Sequence, residues 1–158
     1  MRQLLYLLIA TFLISASCHK QDPNPAQFYI RCKIDGQDYW PNNCANCMRG
    51  QLLGDTVYLM NANADYTTVF LGVTQKPNFL GGPCLLNPPS SGGAYKNSTT
   101  TNDRFDTDAT HTGQLNITTL DKTNKIVAGT FYFQAYNPVQ NKTVNISNGE
   151  FRLKYTDY

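Results

Sequence analysis

Apolar and polar side chains alternate along residues 125–136, where every second position is Val127, Gly129, Phe131, Phe133 or Ala135. A period of two places these residues on one face of a β-strand, whereas an amphipathic helix needs apolar residues three and four positions apart. After Cys18, no window of eleven or more residues has that helical spacing. The sequence therefore predicts an all-β chain.

The polar residues favour the same fold class. Asn and Thr each occur sixteen times after Cys18, and the eleven acidic residues are ten Asp and one Glu. Asn, Asp and Thr are poor helix formers that favour turns or strands. An aromatic content of 12% argues against a disordered chain, and a net charge of +2 is too small for a nucleic-acid-binding surface.

Turn signals separate the predicted strands. Asp35-Gly36 predicts a type I′ turn that pairs Cys32 with Tyr39, and Lys122-Thr123-Asn124 predicts the turn of a longer hairpin. The stretches 41–54 and 79–95 contain many turn residues, and we expect them to be mostly loop.

A further Asn-Gly dipeptide predicts a terminal hairpin. A two-residue loop at Asn148-Gly149 would pair Ile146 with Phe151 and Val144 with Leu153, with all four apolar side chains on one face. Eight or so short strands of this kind predict a single-domain antiparallel β-sandwich, with a partly open β-barrel as the alternative.

The N-terminus has the features of an export signal. Arg2 precedes an apolar run of eleven residues from Leu4 to Ile14, and a membrane-spanning helix would need about 20 residues. Ser15-Ala16-Ser17-Cys18 resembles the lipobox of bacterial lipoproteins, in which the Cys is acylated and becomes the first mature residue. We expect a lipoprotein signal peptide at 1–17, a lipid-anchored tether at 18–26 and a β-sandwich domain at 27–158. The alternative is an ordinary secretory signal cleaved near Ala16 or Ser17.

Four cysteines remain once Cys18 is assigned to the lipid. Cys32, Cys44, Cys47 and Cys84 are even in number, as is typical of an exported protein with two disulfides. Three connectivities are possible, and the spacing does not choose among them. Asp55-Thr56-Val57 fits a three-residue O-glycosylation pattern, and it also fits a turn that enters a strand.

Four segments resemble a known family. The strand Val127-x-Gly129-Thr130-Phe131-x-Phe133, the preceding residues 113–121 and the Asn148-Gly149-x-Phe151 segment are similar to uncharacterised Bacteroidota lipoproteins, as is Lys33-Ile34-Asp35-Gly36 with Trp40. Residues 43–108 lie outside the resemblance. It implies a secreted β-sandwich lipoprotein and contributes no catalytic residues. We expect the protein to be lipid-anchored at the outer membrane of the cell envelope, and the sequence leaves a periplasmic and a surface-facing orientation open.

One polar segment, residues 102–112, contains the candidates for chemistry. Its members are Asp103, Asp106, Asp108 and His111. Asp106-x-Asp108-x-Thr110 resembles the start of a calcium loop, but His111 and Ile117 stand where that loop requires Gly and Glu. We therefore expect a solvated turn, and we predict no metal, no cofactor and no catalytic residue.

A set of aromatic residues forms the candidate ligand face. Outside the predicted core phase lie Tyr29, Arg31, Trp40, Tyr132 and Tyr136, and exposed rings of this kind can bind sugars. The sequence predicts a lipid-anchored binding or assembly module of the cell envelope that is not an enzyme. Its partners would be the membrane, through the anchor, and a glycan or another envelope protein, but not nucleic acid. The alternatives are a glycan-binding accessory lipoprotein of a nutrient-uptake system and a small hydrolase using Asp103, Asp106 and His111.

Overall fold

The computed structural model describes residues 28–40, 48–53, 56–62, 68–74, 84–88, 91–97 and 101–157. This part of the chain forms eleven strands and one short 3₁₀ turn, which confirms the predicted all-β class. It contains no helix that is long and apolar enough to cross a membrane. The predicted signal peptide, Cys18 and the tether lie outside the described residues.

The strands are, in chain order, β1 (Tyr29–Ile34), β2 (Gln37–Tyr39), β3 (Met48–Leu53), β4 (Thr56–Ala62), β5 (Thr68–Thr74), β6 (Cys84–Leu85), β7 (Ser91–Lys96), β8 (Arg104–Asp106), β9 (Gly113–Asp121), β10 (Ile126–Asn137) and β11 (Lys142–Asp157). They belong to one hydrogen-bonded sheet with the order β2-β1-β11-β3-β4-β5-β7-β8-β10-β9-β6, in which β10 also pairs with β11.

Most of the pairings are antiparallel, and the exception is β3 with β11. The sheet therefore follows a circuit through β10, β11, β3, β4, β5, β7 and β8, which returns to β10 through the single pair Tyr136–Asp106. The β1–β2 hairpin and the strands β9 and β6 extend from this circuit. The choice between a sandwich and a partly open barrel stays a prediction.

Two of the predicted turns are confirmed. Asp35 and Gly36 have φ angles of 48° and 82° between β1 and β2, and Cys32 pairs with Tyr39 as expected. Residues 122–125 form the turn between β9 and β10. Both turns use the left-handed backbone region, which Gly, Asn and Asp adopt most readily.

The predicted hairpin at Asn148-Gly149 is wrong. Both residues lie in the middle of β11, which continues from Lys142 to Asp157 as one strand. On β10, Phe131 pairs with Gly149 and Phe133 with Ile146, so that two residues of β11 face one residue of β10. The dipeptide is therefore part of a β-bulge, and Asn148 takes the left-handed φ of 50° there.

A bulge and a two-residue turn are compatible with the same pattern of apolar residues in the sequence. Inward residues of β11 include Val144 and Ile146 before the dipeptide and Phe151 and Leu153 after it. The inward residues therefore have even numbers before the dipeptide and odd numbers after it. One inserted residue produces this shift, and a two-residue turn produces it as well. The apolar pattern therefore could not separate the two structures, and the pairing with β10 and β1 decides between them.

The structure also adds strands to the expected loops. β3 lies within 41–54, and β6 and β7 lie within 79–95. Gly92 and Gly93 lie in the stretch that the sequence predicts to be mostly loop, but both pair with β5. A side chain at Gly93 would press on the ring of Phe133 at 2.9 Å, so here glycine permits close packing rather than a turn.

The core contains inward side chains from β1, from the middle strands and from the long strands β9, β10 and β11. Its largest fully buried members are Phe133, Phe151, Ile30, Leu59, Leu86, Leu115, Ile146, Leu153, Val69 and Val127. The rings of Phe133 and Phe151 each lie 6.4 Å from the ring of Phe131. The strands β10 and β11 thus contribute a continuous aromatic layer to the core.

Cysteine pairing differs from the prediction. Cys32 and Cys84 are both buried, and no disulfide joins them. The inward position of Cys32 on β1 makes it part of the apolar core as a free thiol, and burial raises its pKa to about 12. Within the described part of the chain no disulfide is found at Cys32, and Cys44 and Cys47 lie outside the described residues.

The close contact of β9 with β10 predicts the effect of one substitution. A Cβ atom at Gly129 would overlap the carbonyl oxygen of Asn116 and come within 2.9 Å of the ring of Phe151. We expect Gly129→Ala to lower the free energy of unfolding by about 3 kcal/mol, because two strands must move apart. Urea unfolding at equilibrium measures this change. The control is Thr130→Ala at the next, exposed position, where we expect a change within about 0.5 kcal/mol. Equal effects of the two substitutions would contradict the predicted overlap.

Candidate functional site

The bulge in β11 borders a groove on the outer face of the sheet. The groove has a volume of about 850 Å³ and is lined by residues 130–134 of β10, residues 145–150 of β11 and Thr112. Tyr132 lies opposite the two bulged residues, and its side chain is 51% exposed. Bulges bend the strand that contains them and often lie beside binding sites.

Side chains with amide and hydroxyl groups cover the floor of this groove. Gln134 donates from Nε2 to Asn145 Oδ1 at 2.9 Å across β10 and β11. The backbone amide of Asn145 donates to Asp35 Oδ1 at 2.8 Å, which ties the groove to the β1–β2 turn. The first bond fixes both amide side chains in place and leaves Gln134 Oε1 and Asn145 Nδ2 for a ligand.

An arginine between two aromatic rings borders the groove. The guanidinium carbon of Arg31 lies 5.2 Å from the centre of the Tyr29 ring and 5.4 Å from that of the Trp40 ring. Arg31 donates from Nε to Glu150 Oε2 at 2.9 Å and also from Nη2 to the same oxygen. The structure thus brings together three of the predicted face residues, and it adds Glu150, which the sequence placed beside a hairpin turn.

Trp40 borders a second hollow next to the groove. This hollow has a volume of about 240 Å³, and its lining includes Arg31, Lys33, Asp38 and Asn148. Lys33 Nζ lies 3.1 Å from Asp38 Oδ1, and the side chain of Trp40 is 38% exposed. Asn148 lines both the hollow and the groove, so the two are adjacent.

A third hollow lies on the other side of Tyr132. It has a volume of about 250 Å³ and is lined by Gln114 and Asn116 of β9 together with residues 130–132. Residues 130–132 line the groove as well. The three hollows are adjacent and share lining residues, and together they are here called the outer-face depression, which extends across the strands from Trp40 to Asn116.

Tyr136 lies apart from the other predicted face residues. Its ring stacks on the imidazole of His111, with ring centres 4.9 Å apart and an interplanar angle of 6°. Its hydroxyl donates to Asn141 Oδ1 at 2.8 Å. Tyr136 does not line any of the three hollows, because the loop before β9 covers its ring.

Asp108 organises the loop that covers Tyr136. Its Oδ1 accepts hydrogen bonds from the backbone amides of Thr110 and His111, each at 2.7 Å, and its carboxylate lies 2.9 Å from His111 Nδ1. These bonds, above all the one from the His111 backbone, lower the pKa of Asp108 well below its usual range. His111 Nε2 lies 3.3 Å from Thr143 Oγ1, so the loop is also tied to β11.

The other two acidic candidates have separate partners. Asp106 accepts from Arg104 Nε at 2.8 Å, and Asp103 Oδ1 accepts from Gln140 Nε2 at 2.8 Å. His111 is hydrogen-bonded to the remaining acidic candidate, Asp108. Within the described part of the chain, no three His, Cys, Asp or Glu side chains are grouped as metal ligands.

Sequence reasoning missed Glu150 and the amide pair Gln134–Asn145. The alternation of residues showed that they point outward, but outward positions exist on every strand. Only the register of β11 against β1 and β10 places Glu150 opposite Arg31 and Asn145 opposite Gln134.

Fold and site thus define an all-β protein with a polar, aromatic-edged depression on its outer face. The family described as a domain of unknown function, DUF6252, matches residues 47–153, and the chain belongs to that family. The match includes residues 47–108, which the resemblance noted from the sequence did not cover. No curated protein matches the chain significantly. No solved structure does so either.

The hydrogen bonds of Asp108 predict a pH-dependent contribution to stability. Because the folded-state pKa is lowered, the ionised carboxylate stabilises the fold above the unfolded-state pKa of about 3.9, and this stabilisation is lost as the pH falls further. We expect Asp108→Ala to lower the urea midpoint at pH 7, and we expect its difference from the wild type to shrink below about pH 4. Asp106→Ala is the control, since it removes an exposed ion pair of small energetic value. A difference for Asp108→Ala that stays constant between pH 7 and pH 2.5 would contradict this role.

Proposed function

We propose that the chain is a lipid-anchored binding module of the cell envelope, and that the outer-face depression is its ligand site. One observation carries the proposal: two exposed aromatic residues, Trp40 and Tyr132, lie in adjacent hollows that are also lined by amide and hydroxyl side chains. Exposed aromatic rings with polar side chains around them are typical of binding surfaces.

The fixed side chains of the depression support this proposal. Arg31 lies between two rings and pairs with Glu150, and Gln134 bonds to Asn145. Side chains that are already held in place lose less conformational entropy when a ligand binds. A depression with such side chains is suited to a specific ligand.

A non-catalytic role is preferred to the hydrolase alternative. That alternative requires Asp103, Asp106 and His111 to act together, but Asp103 bonds to Gln140, Asp106 pairs with Arg104, and His111 bonds to Asp108. General acid–base chemistry needs the acid and the base within reach of one reacting group. We therefore propose a binding module and not an enzyme.

A glycan-binding accessory lipoprotein is the second candidate. The exposure of Tyr132 and Trp40 favours it, since aromatic rings pack against the C–H faces of sugars. Both candidates use the same depression, and they differ in the partner.

The ligand site predicts which substitutions abolish binding to the envelope. We expect the chain from residue 19 onward, which has neither the signal peptide nor the acylated Cys18, to sediment with isolated cell envelopes. Trp40→Ala and Tyr132→Ala should each weaken this binding about tenfold, because each removes an aromatic contact. The control is Val139→Ala, which changes a 72% exposed apolar side chain away from the depression. Unchanged binding by both aromatic variants would overturn the proposal.

The anchor is a separate part of the proposal. We propose that a signal peptide at 1–17 is removed, that Cys18 is acylated and that 18–26 tethers the domain to the outer membrane of a Bacteroidota cell. Two or more acyl chains give stable anchoring, whereas one chain is marginal.

The anchor predicts the mass and the location of the protein. We expect membrane-extracted protein to begin at Cys18 and to carry the added mass of its acyl chains, as measured by intact mass spectrometry. Cys18→Ser should prevent acylation, so that the protein carries no added mass. Membrane-bound protein without added mass on Cys18 would contradict this expectation.

A further inference from the structure

The direction of the outer-face depression sets the shape of its ligand. Trp40 follows directly on β2, and Tyr132 lies in β10, with β1 and β11 between these strands. Neighbouring strands are about 4.8 Å apart, so the two rings are separated by three strand spacings, or about 14 Å. A ligand that contacts both rings is therefore extended and crosses the strands.

The charges of the depression set the charge of its ligand. Among the residues that line the three hollows, the charged side chains are Arg31, Lys33, Asp38 and Glu150. They form two opposite pairs, Arg31 with Glu150 and Lys33 with Asp38. The charges of the lining therefore sum to zero, which favours a neutral ligand over an acidic or a basic one.

The polar groups beside the rings set the chemistry. Hydroxyl or amide side chains line the depression at Thr130, Gln134, Asn145, Ser147 and Asn148. These groups can both donate and accept hydrogen bonds, as sugar hydroxyls do. The depression is open, so that ordered water can complete contacts that the side chains do not make directly.

We propose that the outer-face depression binds an extended, neutral glycan, with one sugar unit on Trp40 and another on Tyr132. The Arg31–Glu150 pair holds the Trp40 platform in position and also offers its outer atoms to sugar hydroxyls. This inference rests on the proposed binding function of the same face, and it names the ligand class.

The test uses neutral oligosaccharides of increasing length. Calorimetry would measure the affinity of the full chain for gluco-, manno- and xylo-oligosaccharides of one to six units, with oligogalacturonates as the acidic comparison. We expect the affinity for at least one neutral series to rise with length and to level off once the chain reaches both rings. Trp40→Ala and Tyr132→Ala should each lower the affinity for the longest chain about tenfold, down to that of a short chain. Tyr132→Phe should keep most of the affinity, and Val139→Ala should keep all of it.

Several outcomes would overturn the glycan inference. One is equal affinity for a single sugar and for six units, and another is tighter binding of the oligogalacturonates. A third is the absence of binding to every neutral series while envelope binding still depends on Trp40 and Tyr132. That third result would support the proposed binding function with a different ligand. Envelope binding that is unchanged by both aromatic substitutions would contradict the proposed binding function itself.

Discussion

The pairing of β10 with β11 supports both the core and the ligand face. Eleven residue pairs join the two strands, and each strand also pairs with others, β11 with β1 and β3 and β10 with β8 and β9. Their inward side chains bring three phenylalanine rings together in the core. Their outward side chains line the largest hollow of the depression. The bulge at Asn148 links these two roles, because it bends β11 while it keeps apolar residues inward on both sides.

The Arg31–Glu150 pair fixes the positions of its side chains and contributes little to the stability of the fold. The side chain of Arg31 is 21% exposed and that of Glu150 is 43% exposed, and ion pairs so close to solvent stabilise a fold by less than about 1 kcal/mol. Tyr29 and Trp40 hold the guanidinium from two sides, which restricts its rotamers. The result is a fixed polar element beside an exposed aromatic ring.

Much of the strand pattern could be predicted from alternation, and part of the site as well. The inward phase of β10 and the turn at Asp35-Gly36 follow from local rules. The grouping of Arg31 with Tyr29 and Trp40 follows from their common strand face. Tyr136 shares the outward phase of Tyr132 but is covered by His111, because a loop distant in the sequence folds over it. Alternation gives the side of a strand on which a residue lies, and it gives no information about what packs on that side.

The sequence by itself determined the all-β class, the inward and outward positions of the long strands and the two tight turns. These features depend on neighbours within a few residues, through side-chain alternation and the left-handed backbone of Asp35 and Gly36. Only the tertiary structure decided that Asn148-Gly149 is a bulge and not a turn, and that Glu150 meets Arg31. A bulge and a two-residue turn change the parity of the apolar pattern in the same way. The difference therefore lies in the strands that pair with β11, and these are brought beside it by folding of the whole chain.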